Sequence, residues 1–167
     1  MARIEFQGGE SLRRKLDRVA AEVRRGVRRE VKRGALAIQG RARRNLHEGG
    51  TTDTGRLASS IAIEAEADGL DARVGTNVEY ATAIEFGLPP GTRADVEQLT
   101  GWVRRKLGVQ DPQEARSIAF AIATKIRRHG TEAQPYLFPA AEAERPKFRA
   151  AVGRAVDEAL RRVAREG

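Results

Sequence analysis

The sequence predicts an α+β fold: a long N-terminal amphipathic helix, a small antiparallel sheet and three further helices. Three observations carry that reading. Apolar residues recur at helical spacing from Leu12 to Leu46, one short stretch alternates in period two around Asp68-Gly69, and three more helical stripes follow downstream. At 167 residues the chain is long enough to bury roughly 70% of its unfolded surface, so one domain with its own core is expected without metal or disulfide staples.

The first helix is marked by Leu12, Leu16, Val19, Val23, Val27, Val31, Ala35, Ile38, Ala42 and Leu46. The mean step is about 3.8 residues against 3.6 for a straight helix, so the stripe drifts around the axis and one flat partner does not cover it. Either the helix bends or breaks, at Gly34 or Gly40, each costing about 1 kcal/mol relative to Ala, or it passes from its own core onto a neighbouring subunit. Unbroken, it spans about 50 Å, longer than a domain of this size needs.

His47 to Gly55 is dense in glycine and short polar residues and reads as a mobile loop. Ser60 to Ala67 alternates apolar with small or charged side chains, Asp68-Gly69 supplies turn chemistry, and Leu70 to Gly75 returns, which makes a hairpin. Tyr80 to Phe86 forms a short helix or strand ending at Gly87, before Pro89-Pro90-Gly91 interrupts regular structure. Asp95 suits a helix N-cap ahead of Val96, Leu99, Val103 and Leu107, with Gly108 as the stop. Asp111-Pro112 opens the next helix, with Ile118, Ile122 and Ile126 four apart and Gly130 closing it. Gln134 to Pro139 reads as extended, because a proline disfavours the helical conformation of the residue before it. Phe148, Val152, Val156, Leu160 and Val163 mark the last helix.

Composition narrows the chemistry. Cysteine is absent, which excludes thiol nucleophiles, disulfide scaffolds and cysteine-based metal sites, and fits a reducing compartment. Two histidines are too few for a histidine-rich metal centre. The start, Met1 to Phe6, lacks the apolar stretch of a signal peptide and no run of about 18 apolar residues occurs, so a soluble, unexported chain with no membrane partner is expected. No Walker loop, Gly-x-Ser-x-Gly elbow or Gly-x-Gly-x-x-Gly fingerprint is present. His47-Glu48 begins a zincin-like pattern that lacks its second histidine. His129, beside Arg127 and Arg128, suits a helix C-terminus. Glu64 and Glu66 share a strand face and read as exposed, and Ser59 and Ser60 have no nearby base in sequence. The expectation is no enzyme activity and no cofactor.

Charge is concentrated. The formal net charge is +8, yet Ser11 to Arg44 alone holds thirteen basic and three acidic residues, leaving the remainder slightly negative. A basic helix face suits either duplex phosphates or acidic groups on another subunit. No aromatic falls between Phe6 and Tyr80, so the basic stretch lacks the stacking platforms of single-strand binders.

Three stretches, taken in order, point to a family. Asp53-Thr54-Gly55-Arg56-Leu57-Ala58-Ser59-Ser60-Ile61, then Val74 to Ala81 with Ile84-Glu85-Phe86-Gly87, then Gly130 to Leu137 resemble the tail-component family of tailed bacteriophages, the gene-ten-like or tail-completion family. Trp102 to Gly108 and Ala119 to Ile122 are similar to the helical insertion of many members. The resemblance implies one tail-component domain over 1–167, with the insertion at about 92–130. It implies a non-enzymatic virion protein of the neck or upper tail, active where the tube ends and the head attaches. The expected partners are copies of itself in a hexameric ring, together with the tail tube, terminator and connector proteins, and DNA in transit through non-specific contact. Gly55, Arg56, Leu57, Gly75, Asn77, Tyr80, Glu85, Phe86, Gly87, Pro135 and Tyr136 are the family-motif and interface candidates, with Arg56 expected to pair with a carboxylate such as Glu85. Two alternatives stand beside this: a tail terminator that stops tube growth, and a basic helical DNA-binding protein.

Overall fold

The computed structural model describes residues 9–50 and 54–165; the start of the chain and Thr51 to Asp53, within the expected loop, lie outside the described residues. In chain order the elements are α1 (Gly9–Glu48), α2 (Arg56–Ser60), β1 (Ala62–Ala65), β2 (Ala72–Gly75), α3 (Ala81–Phe86), α4 (Val96–Leu107), α5 (Pro112–His129) and α6 (Leu137–Arg165). The class is α+β. Three of the helices after α1 are the long ones expected, α3 is the short helix that was one of the two readings of Tyr80 to Phe86, and α2 is a short addition. The chain forms two compact units: Met1–Ile38 with Ile63–Val74 and Ala141–Gly167, and Gln39–Ala62 with Gly75–Ala140.

In the first unit α1 and α6 run antiparallel. Their closest approach is made by small residues: a Cβ on Gly26 would meet the Ala155 side chain at 3.2 Å, and one on Gly34 would stand 2.8 Å from the Phe148 ring. Val31, Ala35, Ala155 and Ala159 are buried along this seam. A break at Gly34 or Gly40, one of the alternatives for this stripe, does not occur, since α1 continues through both. Gly34 is there for the Phe148 ring, and packing of the apolar stripe outweighs the roughly 1 kcal/mol propensity loss at each glycine. Glu30, buried in the same helix, is matched by Arg29 at 3.0 Å and Arg33 at 3.2 Å. The hairpin β1–β2 turns at Asp68-Gly69, where Gly69 has φ 67° and the Asp68 carboxylate accepts the Leu70 N–H at 2.9 Å.

In the second unit the last turns of α1 bury Ala42 and Leu46, and Leu57, Ala58, Ile61, Val78, Ala81, Tyr136 and Ala140 are buried with them in that unit. Helices α4 and α5 make a separate small core, with Val103, Ala115 and Ala119 fully buried and Leu99, Trp102, Ile118 and Ile122 packed around them. Asp95 caps α4 by accepting the Glu97 N–H at 2.8 Å, and Asp111 caps α5 by accepting the Glu114 N–H at 2.7 Å. The base of this helical hairpin is a narrow neck. Leu88 and Thr131 exchange antiparallel backbone bonds, Leu88 N–H to Thr131 O at 3.2 Å and Thr131 N–H to Leu88 O at 2.9 Å. Gly87 (φ 73°) and Gly130 (φ 72°) flank the bridge, and a Cβ at either would run into the opposite strand's backbone.

Residues 137–139 correct the sequence reading. Leu137 and Phe138 are helical rather than extended, and α6 starts at Leu137. Pro139 then falls in the first turn, where its missing N–H costs nothing.

Candidate assembly site

The motif residues all fall in the second unit. One carboxylate joins the Glu85 and Tyr136 stretches. Glu85, buried near the end of α3, accepts the N–H groups of Tyr136 and Leu137 on Oε2, each at 2.9 Å, and that of Phe138 on Oε1 at 2.8 Å. An anionic group facing the free N–H groups of a helix start satisfies both their hydrogen-bonding need and the positive end of the helix dipole. This corrects the expected partnership: Glu85 holds the start of α6, while Arg56 is exposed at the start of α2, its own N–H donating to the Thr54 hydroxyl at 3.3 Å. The same strand-like approach is tightened by the Gln134 N–H to Ile84 O bond at 2.8 Å and by Gly87, whose bare α-carbon admits Thr131 and Ala133. Asn45 adds a bond from α1, its Nδ2 donating to Tyr136 O at 2.9 Å.

Tyr136 is only 3% exposed. Burial pushes its phenol above the ordinary tyrosine range, with the negative charge of Glu85 and then Tyr80 adding to the shift. The ring therefore stays neutral at physiological pH and serves as packing.

Gly55, Arg56 and Leu57 are placed by a second set of bonds. Gly55 takes the left-handed conformation (φ 72°) ahead of α2, and Leu57 is buried. The carbonyls at the end of α2 are then held by α1: Arg43 Nε donates to Ala58 O at 3.0 Å, its Nη2 to Ile61 O at 3.0 Å, and Gln39 Nε2 to Ile61 O at 2.7 Å. Neither residue stood out in the sequence, because Arg43 was one of a run of arginines. The available signal was position: Gln39 and Arg43 lie one turn apart, beside the stripe residues Ile38 and Ala42.

Ser60 and Thr76 share a hydroxyl contact at 2.6 Å next to Gly75, and Thr76 also accepts the Val78 N–H at 3.1 Å. Ser60 is thus spent on joining the end of α2 to the residues after β2. Glu64 on β1 and Glu66 just after it lie exposed, and no group of three metal-ligating side chains occurs among the described residues.

The rest of the motif faces outward. Asn77, Tyr80 and Pro135 are exposed, and Phe86, next to the buried Glu85, is 73% exposed. Phe138, bonded through its N–H to Glu85, is 64% exposed. Both are large apolar rings left in water beside backbone that the buried Glu85 fixes.

Residues 10–87 match the family described as "Bacteriophage HK97-gp10, putative tail-component". That segment carries the pattern of a phage tail-component family. It takes in nine of the motif residues, from Gly55 to Gly87, while Pro135, Tyr136 and the α4–α5 hairpin lie beyond it. No curated protein and no solved structure matches the chain. Among the described residues no helix is long and apolar enough to cross a membrane.

Proposed function

We propose that this chain is a non-enzymatic structural component of a tailed-phage virion, a tail-completion or head–tail joining protein of the neck or upper tail, and that its copies close into a ring. The tail-component pattern over residues 10–87 supports the virion role. The observation that carries the assembly reading is Phe86: it sits inside that pattern, 73% exposed, anchored by the buried Glu85 beside it. A side chain that large is held in water by a rigid neighbour where a partner covers it. Heterologous contacts through such a face avoid endless polymerisation when they close into a ring. The α4–α5 hairpin is the helical insertion, tied on at Leu88 and Thr131.

The test is Phe86→Asp in the full-length protein, mixed with tail tubes of the same phage. Loss of ring density at the tube end in electron micrographs, with unchanged circular dichroism, is the expected result; equal occupancy by the variant overturns the reading. The tail-terminator alternative predicts overlong tubes in the absence of the protein, and the completion role predicts tubes of normal length.

A DNA-facing role for α1 is favoured by the exposure of Arg13, Arg14, Lys15, Arg18, Arg24, Arg28 and Lys32. Arg43 is committed to carbonyls and Arg29 and Arg33 to Glu30, which lowers the charge free for phosphate. Random duplex DNA titrated at rising salt separates the readings: a primary DNA binder loses affinity steeply, whereas an assembly protein binds little at any salt.

A further inference from the structure

The first two turns of α1 carry a pair of leucines that the first unit does not cover. Leu12 and Leu16 are each 59% exposed and lie one helical turn apart, continuing the stripe that is buried further along at Val31 and Ala35. The reason is register. Glu22 of α1 meets Arg162 of α6 at 3.4 Å, Gly26 faces Ala155 and Gly34 faces Phe148. With an equal rise in both helices, Arg165, the last described residue of α6, comes level with roughly residues 16–19 of α1. Leu16 is at that edge and Leu12 is past it.

The same unit contains a matching concavity. A groove of about 350 Å³ lies between α1, the hairpin and α6, lined on its apolar side by Val31, Ile38, Leu70, Val74 and Phe148. The charges complement each other. The leucine pair is interleaved with exposed Arg13, Arg14, Lys15 and Arg18 against Glu10 and Asp17, a local excess of positive charge. At the groove Arg145 lines the wall with Asp71, and Glu144 is already paired with Lys147 at 3.1 Å, so the negative excess comes from the hairpin, which exposes Glu64, Glu66, Asp68 and Asp71 against Arg73. A chain's own leucines do not reach its own groove, because Leu16 and Val31 are fixed on one continuous helix about 22 Å apart.

We propose that Leu12 and Leu16 of one copy seat in the groove of a second copy, with the basic residues around them facing its acidic hairpin. The knob and the groove are different surfaces, so the contact is head-to-tail and propagates from copy to copy until a ring closes. This inference rests on the ring reading above and names the contact that builds it.

The chain has no cysteine, so introduced pairs report the contact directly. Full-length Leu16→Cys/Val74→Cys protein under mild oxidation is expected to give a ladder of covalent multimers. The two single variants are expected to stay uncoupled alone and to give only a one-to-one dimer when mixed. Light scattering on the unmodified protein runs alongside. Coupling of Leu16→Cys with itself overturns the proposal, because it requires a symmetric contact. Multimers by light scattering without any cross-link between the two positions overturn this contact and leave the ring standing. Monomers throughout, with no cross-link, overturn both.

Discussion

Glu85 and Phe138 are 53 positions apart, yet the Glu85 carboxylate accepts the Phe138 N–H at 2.8 Å and so sets where the last helix begins. Two further N–H groups, of Tyr136 and Leu137, converge on the same side chain. Glu85→Ala leaves all three without their acceptor in a largely buried setting and should destabilise the protein by about 2–3 kcal/mol. Glu85→Gln keeps a carbonyl oxygen but loses the charge that complements the helix dipole, and should cost about half as much. Urea unfolding read by far-ultraviolet circular dichroism measures both; a loss below 0.5 kcal/mol for the alanine variant, an order-of-magnitude floor for a surface change, would place the cap outside the fold's essential contacts.

The long helices were legible because their signals are local. Asp95 and Asp111 act as the N-caps that their positions before apolar stripes implied, and Gly108 and Gly130 stop their helices as expected. The hairpin followed from alternation and the Asp68-Gly69 turn. The errors came from partners far away in sequence. Nothing near Leu137 says that a glutamate in α3 will accept its N–H, so proline chemistry alone predicted extended backbone there. Arg43 looked like one more solvated charge because the carbonyls it satisfies lie 15 and 18 positions on. In the candidate site, the family resemblance pointed to Glu85, Phe86 and Tyr136, and only the structure divides them into an anchor, an exposed ring and a buried ring.

The two glycines of α1 that were candidates for a bend or break should respond with opposite sign. A methyl group on Gly34 meets the Phe148 ring at 2.8 Å, closer than real contacts, so Gly34→Ala should destabilise by about 1–2 kcal/mol despite its better helix propensity. At Gly40 the nearest atom is the end of the flexible Arg44 side chain at 3.6 Å, so Gly40→Ala should stabilise by about 0.5–1 kcal/mol. Thermal melts of both variants check the pair. Phe148→Leu in the Gly34→Ala background should recover part of the loss, and strictly additive effects would contradict the packing described for this seam.

The neck predicts a separable perturbation. A Cβ on Gly130 stands 2.0 Å from Leu88 O while φ is 72°, so Gly130→Ala must pull the Leu88–Thr131 bridge apart. The α4–α5 hairpin keeps its own core around Val103, Ala115 and Ala119. Hydrogen exchange at the Leu88 and Thr131 amides should therefore rise by at least about tenfold, the equivalent of about 1.4 kcal/mol of local opening. Emission from Trp102, the only tryptophan, should hold its wavelength. A shift of Trp102 emission together with the amide change would show that the hairpin and its neck unfold as one.

Tyr136 gives the fold an alkaline limit. Burial first, then the charge of Glu85 and the nearness of Tyr80, raise its phenol above the ordinary value of about 10. The sign follows from proton linkage. Below about pH 10 both folded and unfolded chains keep the proton and stability is unaffected; above it the unfolded chain releases the proton while the folded one retains it. Stability should therefore fall as pH rises from about 10 to the raised folded value. Absorbance at the tyrosinate wavelength should show a late component that Tyr136→Phe removes. The same variant should flatten the alkaline loss of stability in urea titrations, and an unchanged slope would mean that the ring is not held in the buried, Glu85-facing position on which the α6 anchor depends.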